Sequence, residues 1–192
     1  MIDESWNETY IQESNRMKIS LMRHYEVECP YPNRMYSAEF TSWCSDYDSA
    51  PLIPVHFEAQ EGSWDACFSS DLPRAVRTAE SVYGVPVQTP LLREVPLSPF
   101  LAGGPRLPYH IWTVMGRLCW LMSHPSQMES KHQTALRAGR WIEEAEGSGH
   151  EHILAVSHGF FIPVLAGELR KKGYSGRKPG KLKNGEIILM EK

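Results

Sequence analysis

Apolar residues in this chain come in two rhythms. Short, nearly continuous runs at 17–24, 64–69, 85–92, 153–157 and 186–190 read as strands, the third interrupted by Pro90. The run at 153–157 shows no alternation, as in a parallel strand covered on both faces. Between these runs, apolar residues recur every three or four positions. Phe40, Trp43, Cys44 and Tyr47 predict a helix over about 38–47, with Ser37 as its cap. Ala75, Thr78, Ala79 and Val82 predict a second helix, capped by Asp71, with Pro73 in its first turn and Gly84 past its end. A third opens at Pro108 and runs to about Ser123. Ile111, Trp112, Val114, Met115, Leu118, Cys119, Leu121 and Met122 make it apolar nearly all round, as in a helix that is buried or covered by a partner. Ser126-Gln127-Met128-Glu129 has the form of a capping box and predicts a fourth helix, to about Glu146. A fifth begins at Gly159 and ends in Arg170-Lys171-Lys172-Gly173, where cations suit the negative end of the helix dipole.

This alternation predicts an α/β fold, a three-layer α/β/α sandwich around a mainly parallel, mixed central sheet. At 192 residues the chain is long enough for one domain, 1–192, with a sizeable core. Residues 1–16 are polar and acidic and read as an N-terminal arm without an assigned role. The stretch 95–108 holds Pro96, Pro99, Pro105, Pro108 and a Gly-Gly pair, so it is an irregular excursion. Together with the helix after it, residues 95–123 form an insertion placed to act as a lid.

Composition narrows the function classes. The formal net charge is −3 and no basic stripe stands out, which argues against a nucleic-acid partner. Lys171, Lys172, Arg177, Lys178, Lys181 and Lys183 read as a solvated basic loop. No apolar run reaches the length of roughly 18 residues that a membrane span needs. The acidic start is not a secretory signal, so a cytoplasmic location follows by elimination. Cys29, Cys44, Cys67 and Cys119 form no CxxC pair, which gives neither a zinc signal nor a disulfide framework. His150-x-His152 lacks a third ligand, and His56, His110, His124 and His132 have no chemical context, so no metal or other cofactor is expected.

The candidate chemistry lies at predicted strand ends, outside which ligands bind in open α/β sheets. Arg23-His24 and Ser157-His158 fall at two such ends. Arg74 falls in the first turn of the helix after the second strand, and helical side chains lean back toward the N-terminus, over the same edge. Glu94 lies just past the third strand. Arginines suit phosphoryl oxygens because their planar forks donate in pairs. Helix-opening amides near Asp71 and Gly159 add further donors. Two histidines beside two arginines should resist protonation, and a neutral imidazole is the form that attacks phosphorus. The cations then stabilise charge on the transferring group, and Glu94 is the carboxyl positioned to protonate a leaving alkoxide. Each residue alone has an ordinary structural reading; their joint occurrence, in this order, points to a phosphate site.

Leu21-Met22-Arg23-His24, Ser69-Ser70-Asp71-Leu72-Pro73-Arg74-Ala75-Val76-Arg77-Thr78-Ala79, Leu92-Arg93-Glu94 and Val156-Ser157-His158-Gly159 together resemble the motifs of the histidine phosphatase superfamily, in its phosphoglycerate-mutase-like branch. Tyr25 stands where that family usually has Gly, which points to an altered pocket floor, and Arg77 stands in place of Gln. The resemblance, over roughly residues 17 to 190, implies a metal-independent phosphomonoesterase acting through a phosphohistidine on a small phosphorylated metabolite. His24 would be the nucleophile, Arg23, Arg74 and His158 the phosphoryl clamp, and Glu94 the acid and then the base. Arg106, Tyr109 and Trp112 of the insertion would meet the organic part of the substrate. The alternatives are phosphoglycerate-mutase-type transfer, a protein phosphohistidine phosphatase, and a non-catalytic phosphate-binding module. The apolar helix near 111–122 leaves room for a homodimer.

Overall fold

The computed structural model describes residues 17–53 and 64–192; the arm at 1–16 and His56 lie outside the described residues. The strands are β1 (Lys18–Arg23), β2 (Arg34–Met35), β3 (Ala66–Ser70), β4 (Val87–Thr89), β5 (Leu107–Pro108), β6 (His152–Ser157), β7 (Ser175–Gly176) and β8 (Ile187–Glu191). The helices are α1 (Ser37–Ser49), α2 (Pro73–Val82), α3 (Tyr109–Leu121), α4 (Lys131–Gly147) and α5 (Phe161–Lys171). The central sheet runs β4-β3-β6-β1-β8-β7. Its first four strands are parallel; β8 pairs antiparallel with β1, and β7 antiparallel with β8. The short β2 and β5 pair separately.

Register is what positions the site. Arg23 lies opposite Ser157, Ser69 opposite Val156, and Ser70 opposite Thr89. The carboxyl ends of all four parallel strands therefore meet on one rim. Residues of β1 and β6 alternate between two cores. Ile19, Leu21, Ile153 and Ala155 pack with Trp141 and Ile142 of α4 and Phe161, Ile162 and Leu165 of α5. Met22, Leu154 and Val156 pack with Ala75, Ala79 and Val82 of α2. Burial on both faces is why these strands carry no polar alternation.

A third cluster, Met35, Phe40, Trp43 and Trp112, joins α1 to α3 beside the β2–β5 pair. Burying each large apolar side chain there stabilises the fold by on the order of 2–3 kcal/mol. Trp112 is completely buried and its Nε1–H donates to the Met35 carbonyl at 3.0 Å. The Gly103 amide donates to Ser37 Oγ at 3.0 Å. These contacts tie the 95–123 segment to the N-terminal third of the chain.

Several boundaries differ from the expected ones because side chains found tertiary partners. Asp71 does not cap α2; Leu72 holds the cap position, and the Asp71 carboxylate instead takes a two-pronged bond from Arg93, both contacts 2.6 Å. Helix α4 starts at Lys131, not near Ser126, with Ser130 and Gln133 forming the capping box. Glu129 is engaged by Arg137 at 2.9 Å, and Gln127 is bonded to the backbone of Ser98. Ser37 is the first residue of α1 rather than its cap. On α3, Trp112, Gly116, Cys119 and Trp120 are buried, while Val114, Leu118 and Leu121 stay exposed, so the helix is covered on one side only. Among the described residues, no helix is long and apolar enough to cross a membrane, and no three His, Cys, Asp or Glu side chains are placed to hold a metal ion.

Candidate active site

The rim brings Arg23, His24, Arg74, Glu94 and His158 together. The first four line a cleft of about 920 Å³ whose walls also include Tyr31, Trp43, Tyr47, Tyr109, Arg117 and Lys181. His158 is fully buried, and its ring centroid lies 5.1 Å from that of His24.

His24 follows the last residue of β1, and its amide donates to the Ser157 carbonyl at 2.9 Å. Its Nδ1 lies 2.5 Å from the Tyr25 carbonyl oxygen, which can only accept, so Nδ1 carries the proton. Arg74 Nε–H points at His24 Nε2 from 3.2 Å, and a guanidinium can only donate. Both partners therefore select the tautomer with a lone pair on Nε2.

Arg74 is held on three sides. Its Nη1–H donates to Asp48 at 2.6 Å, its guanidinium carbon sits 5.2 Å from the Tyr47 ring centroid, and its Nε faces His24. Asp48, the penultimate residue of α1, fixes the plane of the guanidinium. Thr78, one turn along α2, donates to the Arg74 carbonyl at 2.7 Å and accepts the Tyr25 amide at 3.0 Å. That hydroxyl locks the loop after β1 to the helix carrying Arg74.

Arg23 Nη1–H donates to the Leu182 carbonyl at 2.6 Å, while its Nε is buried with no hydrogen-bond partner among the described residues. Gly159 makes room for it: a Cβ there would fall 2.9 Å from Arg23 Nε. The segment before β8 braces this strand end. Asn184 donates to the His24 carbonyl at 3.0 Å, and the Gly185 amide to the Arg23 carbonyl at 2.9 Å. Sequence reasoning passed over Asn184, although its Asn-Gly pair marks a turn. It also took Lys181 as part of a solvated loop, whereas Lys181 lines the cleft.

Glu94 follows a short helical turn, Pro90–Leu92, at the end of β4. Its two carboxylate oxygens accept the amides of Val95 at 2.9 Å and Phe160 at 3.2 Å, which ties the segments after β4 and β6 together. His158 Nε2 lies 2.8 Å from Ser70 Oγ, which also accepts the Leu72 amide. A Ser70 hydroxyl that donates to Nε2 favours a proton on His158 Nδ1, which is buried without a partner among the described residues.

Two expectations about the walls change. Tyr25 does not shape the pocket floor: its ring packs with Met22, Ala75 and Ala79 on the α2 side, and only its backbone faces the site. Of the three insertion residues, Tyr109 alone lines the cleft. Trp112 is core, because its indole is bonded to Met35 within an aromatic cluster. Arg106 lies on the surface, half exposed, against Glu39 at 3.5 Å and the Tyr36 ring.

Burial, first, and the Arg74 charge, second, lower the His24 pKa from 6.5 to about 3; Arg23 lowers it further, and the Tyr25 carbonyl pulls it up. His158 lies well below the ordinary value, again from burial first and then Arg74, His24, Arg137 and Arg23. Like charge alone was the expected cause, but burial is the larger one. The unfolded chain takes up these protons as the pH falls through about 6.5, while the fold refuses them, so stability drops as the pH falls below that value. The melting temperature should decline on acidification from pH 6.5 toward about 4, and His24→Asn should flatten that decline. Thermal melts followed by circular dichroism across this range check it.

A mixed sheet thus carries a histidine pair and two arginines at the carboxyl ends of its parallel strands, an arrangement suited to an anion. The chain belongs to the histidine phosphatase superfamily, branch 1, whose family model matches residues 56–191. Solved structures share the fold. A phosphoserine phosphatase variant from Entamoeba histolytica in complex with phosphoserine has 18% identity and a TM-score of 0.60, over 90% of this chain and 89% of that one. YhfR of Bacillus stearothermophilus has 19% identity and a TM-score of 0.59, over 90% of each chain. A mycobacterial glucosyl-3-phosphoglycerate phosphatase has 19% identity and a TM-score of 0.56, over 92% and 90%. No curated protein matches in a sequence search. The family match begins beyond Arg23-His24, so it is the fold that sets this pair beside His158.

Proposed function

We propose that this protein is a phosphomonoesterase that transfers phosphate from a small phosphorylated metabolite to His24 and then to water. The observation that carries the reading is the Nε2 lone pair of His24, held by the Tyr25 carbonyl and facing Arg74 in the cleft. The names of two structural neighbours, both phosphatases, support the same reaction class.

In the first step Nε2 bonds to phosphorus and the ester P–O bond breaks. Its electron pair goes to the leaving oxygen, which takes a proton from Glu94. Arg23 and Arg74 donate to the non-bridging oxygens, where charge is greatest in the transition state. His158, kept neutral by burial, adds an N–H beside His24 without placing another positive charge there. In the second step Glu94, now a carboxylate, removes a proton from water. The water oxygen bonds to phosphorus, the P–N bond breaks, and its pair returns to Nε2. No step needs a metal.

Phosphate release from a panel of phosphate monoesters, with vanadate as inhibitor, tests the reading. Phosphate moved between positions of one substrate without net release would assign a mutase instead. Glu94→Gln supplies a sharper check. It should slow release of an alkoxide by about a hundredfold or more, because the proton is missing, yet scarcely slow the first burst of p-nitrophenolate from p-nitrophenyl phosphate, whose leaving group needs none; the later hydrolysis of the phosphohistidine, which uses Glu94 as base, slows for both. Comparing the two rates in one variant reads out the acid directly.

A further inference from the structure

Four aromatic rings make one continuous wall of the cleft. Tyr47 sits beneath the Arg74 guanidinium, and the Trp43 ring centroid is 5.3 Å from that of Tyr47. Tyr109 is 4.8 Å from Trp43, and Tyr31 is 5.0 Å from Tyr109 and 5.5 Å from Trp43. The run therefore leads without a break from a phosphate-clamp arginine to the mouth. Its members come from three places: the loop after β1, helix α1, and the first residue of α3. Core packing does not account for the outermost ring, because Tyr31 is 55% exposed. Burial raises the Tyr47 hydroxyl to about 12 and the Tyr109 hydroxyl higher still, so these two rings stay uncharged.

A run of uncharged ring faces offers little to a compact charged alcohol. It does complement a flat ring, which gains from offset or edge-to-face contact beyond the area it buries. We propose that this wall selects the leaving group. The substrate is a phosphate monoester whose alcohol carries a flat unsaturated ring, laid along Trp43, Tyr109 and Tyr31 while Arg23, His24 and Arg74 hold the phosphate. The inference rests on the phosphatase reading and names the substrate class for that site. Tyr31 is its specificity-determining residue at the mouth.

The test compares alkyl esters, whose leaving oxygens are chemically alike. 2-Phenylethyl phosphate should be hydrolysed with a kcat/KM about tenfold above n-butyl phosphate, the size of one or two favourable ring contacts. It should also exceed phosphoserine, which carries a carboxylate, and glucose 6-phosphate, which carries a saturated ring. Tyr31→Ala should bring the phenylethyl-to-butyl ratio toward one, chiefly through KM, whereas Tyr31→Phe should keep it. A ratio near one in the unaltered protein, a preference for phosphoserine or the sugar ester, or a ratio unmoved by Tyr31→Ala would each overturn the proposal. If no ester is hydrolysed, the phosphatase reading falls by itself. Calorimetric affinities of 2-phenylethyl and n-butyl phosphate, in the unaltered protein and Tyr31→Ala, then decide the wall by the same ratio.

Discussion

Replacing His24 with alanine should lower hydrolysis of p-nitrophenyl phosphate by about ten-thousandfold or more, since removing a covalent nucleophile leaves only binding and electrostatic assistance. No neighbour can substitute for it. His158 is fully buried and, unlike His24, is not among the residues lining the cleft. Arg74 and Arg23 have no lone pair to offer. The same change should abolish the acid-labile phosphoprotein formed when the enzyme is mixed with labelled substrate and quenched in alkali. Residual activity close to that of the unaltered protein would sink the phosphohistidine mechanism. Folding is controlled for by the melting temperature near neutral pH, where His24 is already uncharged.

Arg74→Ala should have the second largest effect, a fall in kcat/KM of about a thousandfold, in line with loss of a preorganised transition-state donor. Three interactions end together: the donor facing Nε2, the guanidinium above Tyr47, and the partner of Asp48. Asp48 is half exposed, so its carboxylate can return to water and the fold should survive. Arg74→Lys restores a positive charge but not the fork geometry, and should recover only part of the loss. Equal recovery by lysine would mean that charge near His24 suffices. A kcat/KM unaffected in Arg74→Ala would remove this residue from the phosphoryl clamp. The first turn of α2 places Arg74 where its charge lowers the pKa of both histidines.

Local patterning made the sheet and helices readable. The run Ile153–Val156 announced a doubly covered strand because each of its side chains enters one of two cores. Small residues at Ala75 and Ala79 announced the buried face of α2. Cap positions were read less well. Any Ser or Asp near a helix start satisfies the local pattern, and tertiary competition decides: Asp71 went to Arg93, and Glu129 to Arg137. The short β2, β5 and β7 strands carry too few residues to leave a periodic signal. Residues Asp48, Thr78 and Asn184 were invisible as site components, because each acts by bonding to a group that is near only in space. Trp112 and Tyr109 are three apart on one helix, and nothing in their sequence says which belongs to the core and which to the cleft.

The sequence by itself determined the βα alternation, the placement of Arg23-His24, Arg74, Glu94 and Ser157-His158 at strand ends or helix starts, and so the family. These are local matters of residue type, period and spacing. The tertiary structure decided what those residues can do. Register set β1 beside β6 and the two histidine rings 5.1 Å apart. Burial rather than charge alone stripped their protons. Three distant segments were folded together into an aromatic wall that no stretch of the chain contains. Each of these depends on distances between groups far apart in the chain, and on exclusion of water from between them, which only the packed fold supplies.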